Sequence, residues 1–179
     1  MLQKKMAKAL NEQINKEMFS AFLYMSMSAF SNDMGLKGFA NWFMVQYHEE
    51  MFHAMKLYEY IQRQGEPVNL KPLEGPATKF DSPLDMFEKT LAHEQFITKS
   101  INDLVDLAIS QKDHATQIFL EWYVTEQVEE EDNDNEILAQ LRLIGDNAHA
   151  LLMLDRELAA RMVTVPVDFS KGVAAASAA

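Results

Sequence analysis

The sequence has no cysteine, which removes disulfide scaffolds, thiolate zinc sites, iron–sulfur clusters and cysteine nucleophiles together. Any metal bound by this chain must sit on oxygen or imidazole. Proline and glycine are scarce, five and six in 179 residues, with no proline before Pro67 or between Pro83 and Pro166. Both residues interrupt helices, so their scarcity points to long ones. Basic side chains are outnumbered, 16 against 27 acids, for a formal charge of -11. A surface of that sign repels phosphate backbones and anionic lipid and attracts cations, which argues against nucleic acid or membrane partners. No apolar run approaches the ~18 residues that suggest a membrane helix. The N-terminal stretch is amphipathic and carries Glu12 and Glu17 instead of a secretory signal's apolar core, so a cytoplasmic protein is expected. At 179 residues the chain suffices for one well-cored domain and is short for two.

What is present is helical periodicity. Apolar residues recur at spacings of three and four through residues 4–33, 37–64, 83–111 and 114–144, the pattern of amphipathic helices. At ~1.5 Å per residue each helix would be roughly 40 Å long. Ser31-Asn32-Asp33-Met34-Gly35 and Gln111-Lys112-Asp113 read as tight turns, which make antiparallel neighbours of helices one and two and of three and four. The segment from Gly65 to Ser82 has no helical period and, counting Pro83, four prolines. Its roughly 18 residues reach up to ~60 Å when extended, enough to run the length of a helix. Helices two and three can therefore be parallel. The expected fold is an all-α four-helix bundle with one long crossover. A shorter amphipathic stretch, 148–162, reads as a fifth helix, and 163–179 as a C-terminal tail that is small, apolar and patternless from Val173 onward.

Each long helix carries an apolar stripe, and near mid-helix each stripe is interrupted by ionisable groups. The first runs Leu10, Ile14, Glu17, Ala21, Tyr24, Ser28; the second Phe39, Phe43, Gln46, Glu50, His53, Leu57, Ile61. The third runs Leu84, Phe87, Leu91, Glu94, Thr98, Ile101, Val105; the fourth Leu120, Tyr123, Gln127, Glu130, Asp134, Ile137, Leu141. Glu17, Glu50, Glu94 and Glu130 thus point inward at one level. Ionised carboxylates in a dry core repel one another, and no lysine or arginine interrupts the stripes to neutralise them. Protons or metal cations remain. Two divalent ions match four carboxylates in charge, and His53 adds a nitrogen ligand. Glu50 and His53 lie within about 60° on the helix, so both can reach one ion while Glu50 bridges to a second. Hard oxygen ligands suit iron or manganese better than copper. A lone Glu-x-x-His pair is ordinarily solvated surface; the common register of four helices is what carries the metal reading. Tyr24, on the face of Glu17, reads as a core tyrosine with a satisfied hydroxyl or as a redox-active neighbour of the ions.

A second acidic group adjoins the first. Glu126, Glu129 and Glu130 occupy adjacent turns of one face, and Glu49 can reach the same side. Like charges at i,i+4 cost ~0.2–0.5 kcal/mol unless a cation bridges them. A solvated acidic face and a third cation site account for this group equally well.

Glu17, Tyr24, Glu49, Glu50, His53, Glu94, Gln127 and Glu130 resemble the ferroxidase centre of ferritins, and the resemblance covers residues 1–162. Glu126-Gln127-Val128-Glu129-Glu130-Glu131 and Ala92-His93-Glu94-Gln95 are most similar to the bacterial non-haem members. The resemblance implies that Glu17, Glu50 and His53 hold one iron and that Glu50, Glu94 and Glu130 hold another, with Gln127 close by. It also implies a third iron site on Glu49, Glu126, Glu129 and Glu130. The implied protein is a shell of 24 identical subunits that oxidises Fe(II) with dioxygen or hydrogen peroxide and stores a ferric oxyhydroxide. Bacterioferritins carry a second Glu-x-x-His on the fourth helix, where this chain has Gln127-x-x-Glu130. Met51 does stand where those relatives place a haem ligand, so a haem-bearing shell is an alternative, although a methionine there more often fills an interface. Animal ferritins line a pore with acids ten and seven residues before the glutamine, and here those places hold Gln117 and Leu120. A rubrerythrin-like peroxidase would need a cysteine-ligated iron domain. A non-enzymatic bundle with protonated inward acids is the remaining alternative, and a metal assay separates it from the others.

Overall fold

The computed structural model describes residues 2–170, 172 and 173. Among these lie five helices, α1 (Lys4–Asp33), α2 (Lys37–Arg63), α3 (Pro83–Ser110), α4 (His114–Ile144) and α5 (Ala148–Leu158). Local chemistry sets several of their ends. Ser82 Oγ accepts the Asp85 amide at 3.1 Å, and Pro83, whose missing N–H costs nothing in a first turn, opens α3. The Asp113 carboxylate accepts both the amide and the hydroxyl of Thr116 at the start of α4. Asn147 does the same for α5 through the amides of His149 and Ala150. Gly145, at φ 52°, ends α4 in a left-handed conformation open to a residue without Cβ.

Side-chain pairs fix the helix directions. Gln13 meets Ser100, Ser20 meets His93, and Thr90 meets Met27, so α1 and α3 are antiparallel. Tyr60 meets Thr116 and Gln46 meets Glu130, so α2 and α4 are antiparallel. The tight turn at Met34 and Gly35 makes α1 and α2 antiparallel as well, which leaves α2 and α3 parallel, as the long crossover requires. That crossover tracks α1: Asn11 binds the backbone at Pro67 and Asn69, Asn15 binds it at Lys71, and Ser26 Oγ donates to the Ala77 carbonyl.

Two apolar clusters fill the bundle. One gathers Tyr24, Phe39, Trp42, Phe43, Met86, Phe87 and Leu138. The other gathers Met6, Leu10, Ile14, Leu57, Ile61, Ile101 and Leu120. The inward acids lie between them. α5 packs on the start of α2, where the Asp155 carboxylate accepts the amides of Gly38 and Phe39 at 2.7 and 3.0 Å. A Cβ at Gly38 would stand 1.5 Å from the Asp155 carbonyl oxygen, so only glycine admits this approach.

The fifth helix is shorter than its periodicity suggests, ending at Leu158 instead of 162. The Asn41 side-chain amide donates to the carbonyls of Leu158 and Arg161, at 3.3 and 2.9 Å, and holds this stretch in a non-helical path. Of the expected tail, 163–179, residue 171 and residues 174–179 lie outside the described residues. Residues 163–170 contain no helix, and the Val173 amide donates to Glu59 Oε1.

Candidate metal centre

Each long helix delivers at least one carboxylate to the layer between the apolar clusters. Glu17, Glu50, His53, Glu94, Gln127 and Glu130 are all buried there, together with Tyr24. Neutral donors orient some of them. Gln13 Nε2 donates to Glu17 Oε1 at 2.9 Å, and its own Oε1 accepts the Ser100 hydroxyl at 2.5 Å. Gln127 Nε2 donates to Glu94 Oε2 at 3.0 Å, while the Tyr24 hydroxyl donates to the other Glu94 oxygen. Gln46 Nε2 donates to Glu130 Oε2 at 2.6 Å. His53 Nδ1 lies 3.5 Å from Glu50 Oε2, and its backbone carbonyl accepts the Tyr123 hydroxyl at 2.8 Å.

Several atoms of the layer have no hydrogen-bond partner. Glu17 Oε2, Glu50 Oε2, His53 Nε2 and Gln127 Oε1 are buried and make no hydrogen bond, although buried polar atoms ordinarily find one. Two trios place ligand atoms within 4.8 Å of one another: Glu17, Glu50 and His53, and His53, Glu126 and Glu130. Burial, more than any neighbour, raises the affinity of these acids for protons. It lifts Glu50 and Glu94 well above the ordinary carboxylate range, with further help for Glu50 from Glu17 and Glu130. Burial also raises Glu17 and takes Glu130 to about 7. The layer thus takes up protons more readily than exposed carboxylates do, and divalent cations would do the same neutralising work in their place.

The second acidic group divides. Glu126 is half-buried, with an oxygen 3.9 Å from His53 Nε2. Glu129 is exposed. Glu49 is buried, and its Oε2 accepts Arg161 Nη2 at 2.6 Å. Met51 is half-buried. Leu120 is fully buried in the core, and Gln117 is half-buried.

Four residues at the layer were not among the expected site residues. Gln13 and Gln46 hold carboxylates in place. Gln46 and Asp134 do lie on the stripes of α2 and α4, where their polarity was visible without a role. Asp134 is buried with one unpaired oxygen, and burial followed by the charge of Glu130 raises it to about 8. Arg161 gave no signal, because it follows the last helix and belongs to no periodic pattern.

These features define a helical bundle with a buried, cation-seeking carboxylate layer. The model of the ferritin-like domain matches residues 7–144. A bacterial non-heme ferritin of Campylobacter jejuni is 45% identical over 156 residues, 87% of this chain and 93% of that protein. One from Staphylococcus saprophyticus is 44% identical over 161 residues, 90% of this chain and 96% of its own. The open pore ferritin of the hyperthermophilic archaeon Archaeoglobus fulgidus superposes with a TM-score of 0.90 at 48% identity, over 90% of this chain and all of that one. The chain belongs to the ferritin family.

Proposed function

We propose that this protein is an iron-storage ferritin, working in the cytosol as a shell of 24 copies, with Fe(II) and dioxygen as its substrates. One observation carries the reading: five buried atoms without a hydrogen-bond partner, on Glu17, Glu50, His53, Gln127 and Asp134, occur in the carboxylate layer contributed by the four long helices. Glu17, Glu50 and His53 hold one Fe(II), and Glu50, Glu94 and Glu130 hold the second, with Gln127 adjacent and Tyr24 fixing one oxygen of Glu94. Each Fe(II) gives up one electron. Dioxygen accepts both and leaves as hydrogen peroxide with two protons, and the two Fe(III) hydrolyse with four waters to oxyhydroxide, for a net release of four protons. Carboxylates favour this step because their negative charge stabilises the higher oxidation state. Hydrogen peroxide serves as an alternative oxidant. Glu49, Glu126, Glu129 and Glu130 form a third iron site beside the pair. The bacterial non-heme ferritins and the archaeal open pore ferritin named above support this reading by kinship.

Anaerobic titration tests it. Two Fe(II) per subunit should bind tightly to an assembly whose native mass is that of 24 chains, and air should oxidise them rapidly. A shell that binds no Fe(II) tightly, or a monomeric bundle, overturns the proposal.

A further inference from the structure

Arg161 is held where a third cation would be useful. Its carbonyl accepts the Asn41 side-chain amide at 2.9 Å, which fixes the backbone just beyond α5. Its guanidinium stacks over the Trp42 ring at 4.5 Å. Nη1 donates to Gln46 Oε1 at 2.8 Å, and Nη2 donates to Glu49 Oε2 at 2.6 Å. Because Gln46 offers its oxygen to Arg161, its amide nitrogen is left for Glu130, 2.6 Å away. Glu49, engaged in this way, does not join the compact trio of His53, Glu126 and Glu130. On its other side the arginine borders a cleft of about 330 Å³ whose lining includes Asn133, Glu136 and Glu157. Two carboxylates on that lining give a displaced guanidinium somewhere to go.

We infer that Arg161 is a tethered cation that occupies the acidic site beside the iron pair and gates it: iron uses Glu49 only when the guanidinium has swung into the cleft. The inference rests on the reading of Glu49, Glu126, Glu129 and Glu130 as a third iron site. One guanidinium charge, 2.6 Å from Glu49, neutralises that carboxylate as an ion would. Its planar fork satisfies Gln46 and Glu49 at once, which a lysine ammonium cannot reproduce in the same geometry. Arg161 therefore keeps the third position weak and filled by protein until incoming cations outcompete it.

Anaerobic Fe(II) isotherms on the assembled shell decide the matter, with wild type, R161A, R161K and the double variant R161A/E49Q compared. The expected result is that the two tight ions bind within about threefold of wild type in every variant, while in R161A the third ion binds about tenfold or more tighter, the scale of a released, partly buried charge pair. R161K should fall between the two, and E49Q should abolish the gain in the R161A background. A third ion that binds R161A no more tightly than wild type, or a gain that survives E49Q, overturns the gate and leaves the two-ion centre standing. Should R161A fail to assemble, R161K carries the test, and a third-ion affinity equal to wild type overturns the gate. A wild type without two tight ions overturns the centre itself and the gate with it.

Discussion

The apolar ends of the bundle and the polar layer between them are built from the same helices and serve opposed ends. At the ends every stripe position closes on a partner. Phe43 is fully buried against Trp42, Phe87 and Tyr24, with ring centroids 5.2, 5.1 and 6.2 Å away. In the layer, buried acids face one another across helices, and several of their atoms pair with nothing. Such a layer weakens the empty fold, because removing the acids from water costs more than their few neutral donors return. The ends must hold the bundle together while the layer waits for its ions.

The difference can be broken from either side. Phe43→Ala should have the largest effect, about 3–5 kcal/mol of lost stability from the deleted ring and the cavity left behind, read as a lowered unfolding midpoint of the metal-free shell. Glu50→Ala should do the reverse. It removes the carboxylate proposed to serve both ions, so stopped-flow oxidation at two Fe(II) per subunit should slow by about a hundredfold, while the metal-free midpoint holds or rises. Glu17→Ala and His53→Ala should also impair rapid oxidation without dissociating the shell. Wild-type rates in Glu50→Ala would remove it from the centre.

Acidity sharpens the comparison further. Asp134 sits at about 8 in the fold against an ordinary 3.8, so the folded chain binds this proton more tightly than the unfolded chain does. Relative to the unfolded chain, that makes the fold most stable below about pH 4 as far as this group is concerned, with stability lost as pH rises toward about 8. The metal-free shell should lose on the order of 1 kcal/mol per pH unit from this group across that window, and Asp134→Asn should flatten the slope in midpoint-versus-pH measurements. Loading with Fe(II) under anaerobic conditions should oppose the loss, since ions bind best where protons have left. The smallest effect is expected from Met51→Leu, a near-isosteric change costing less than about 1.5 kcal/mol. Shells grown with added haem should show no Soret band with either residue, and a band lost in Met51→Leu would identify the methionine as a ligand.

Much of this contrast was legible in the sequence because helical period is a local property. Glu17, Glu50, Glu94 and Glu130 break apolar stripes at matching depths, and the lengths of the connections then decide which helices are neighbours. Gln46 and Asp134 were visible on those stripes, but an amide that orients a carboxylate looks the same in sequence as one that faces water. Arg161 was invisible for a different reason. Its position depends on Asn41, 120 residues away in the chain, and on a helix that stops at Leu158 because side-chain capture outweighs the continuing amphipathic pattern.

The crossover has a consequence for how the chain is made. Its 19 residues between Arg63 and Pro83 separate two hairpins, each with a short turn and local contacts, the kind of unit that forms early during folding. The first hairpin carries Glu17, Glu50 and His53; the second carries Glu94, Gln127 and Glu130. On the proposed assignment the first half carries every ligand of one iron, whereas the second iron draws Glu50 from that half and Glu94 and Glu130 from the other, so neither half alone can hold the pair. The two-iron centre that the proposed oxidation requires would therefore form only when the hairpins dock, and an undocked chain would lack it.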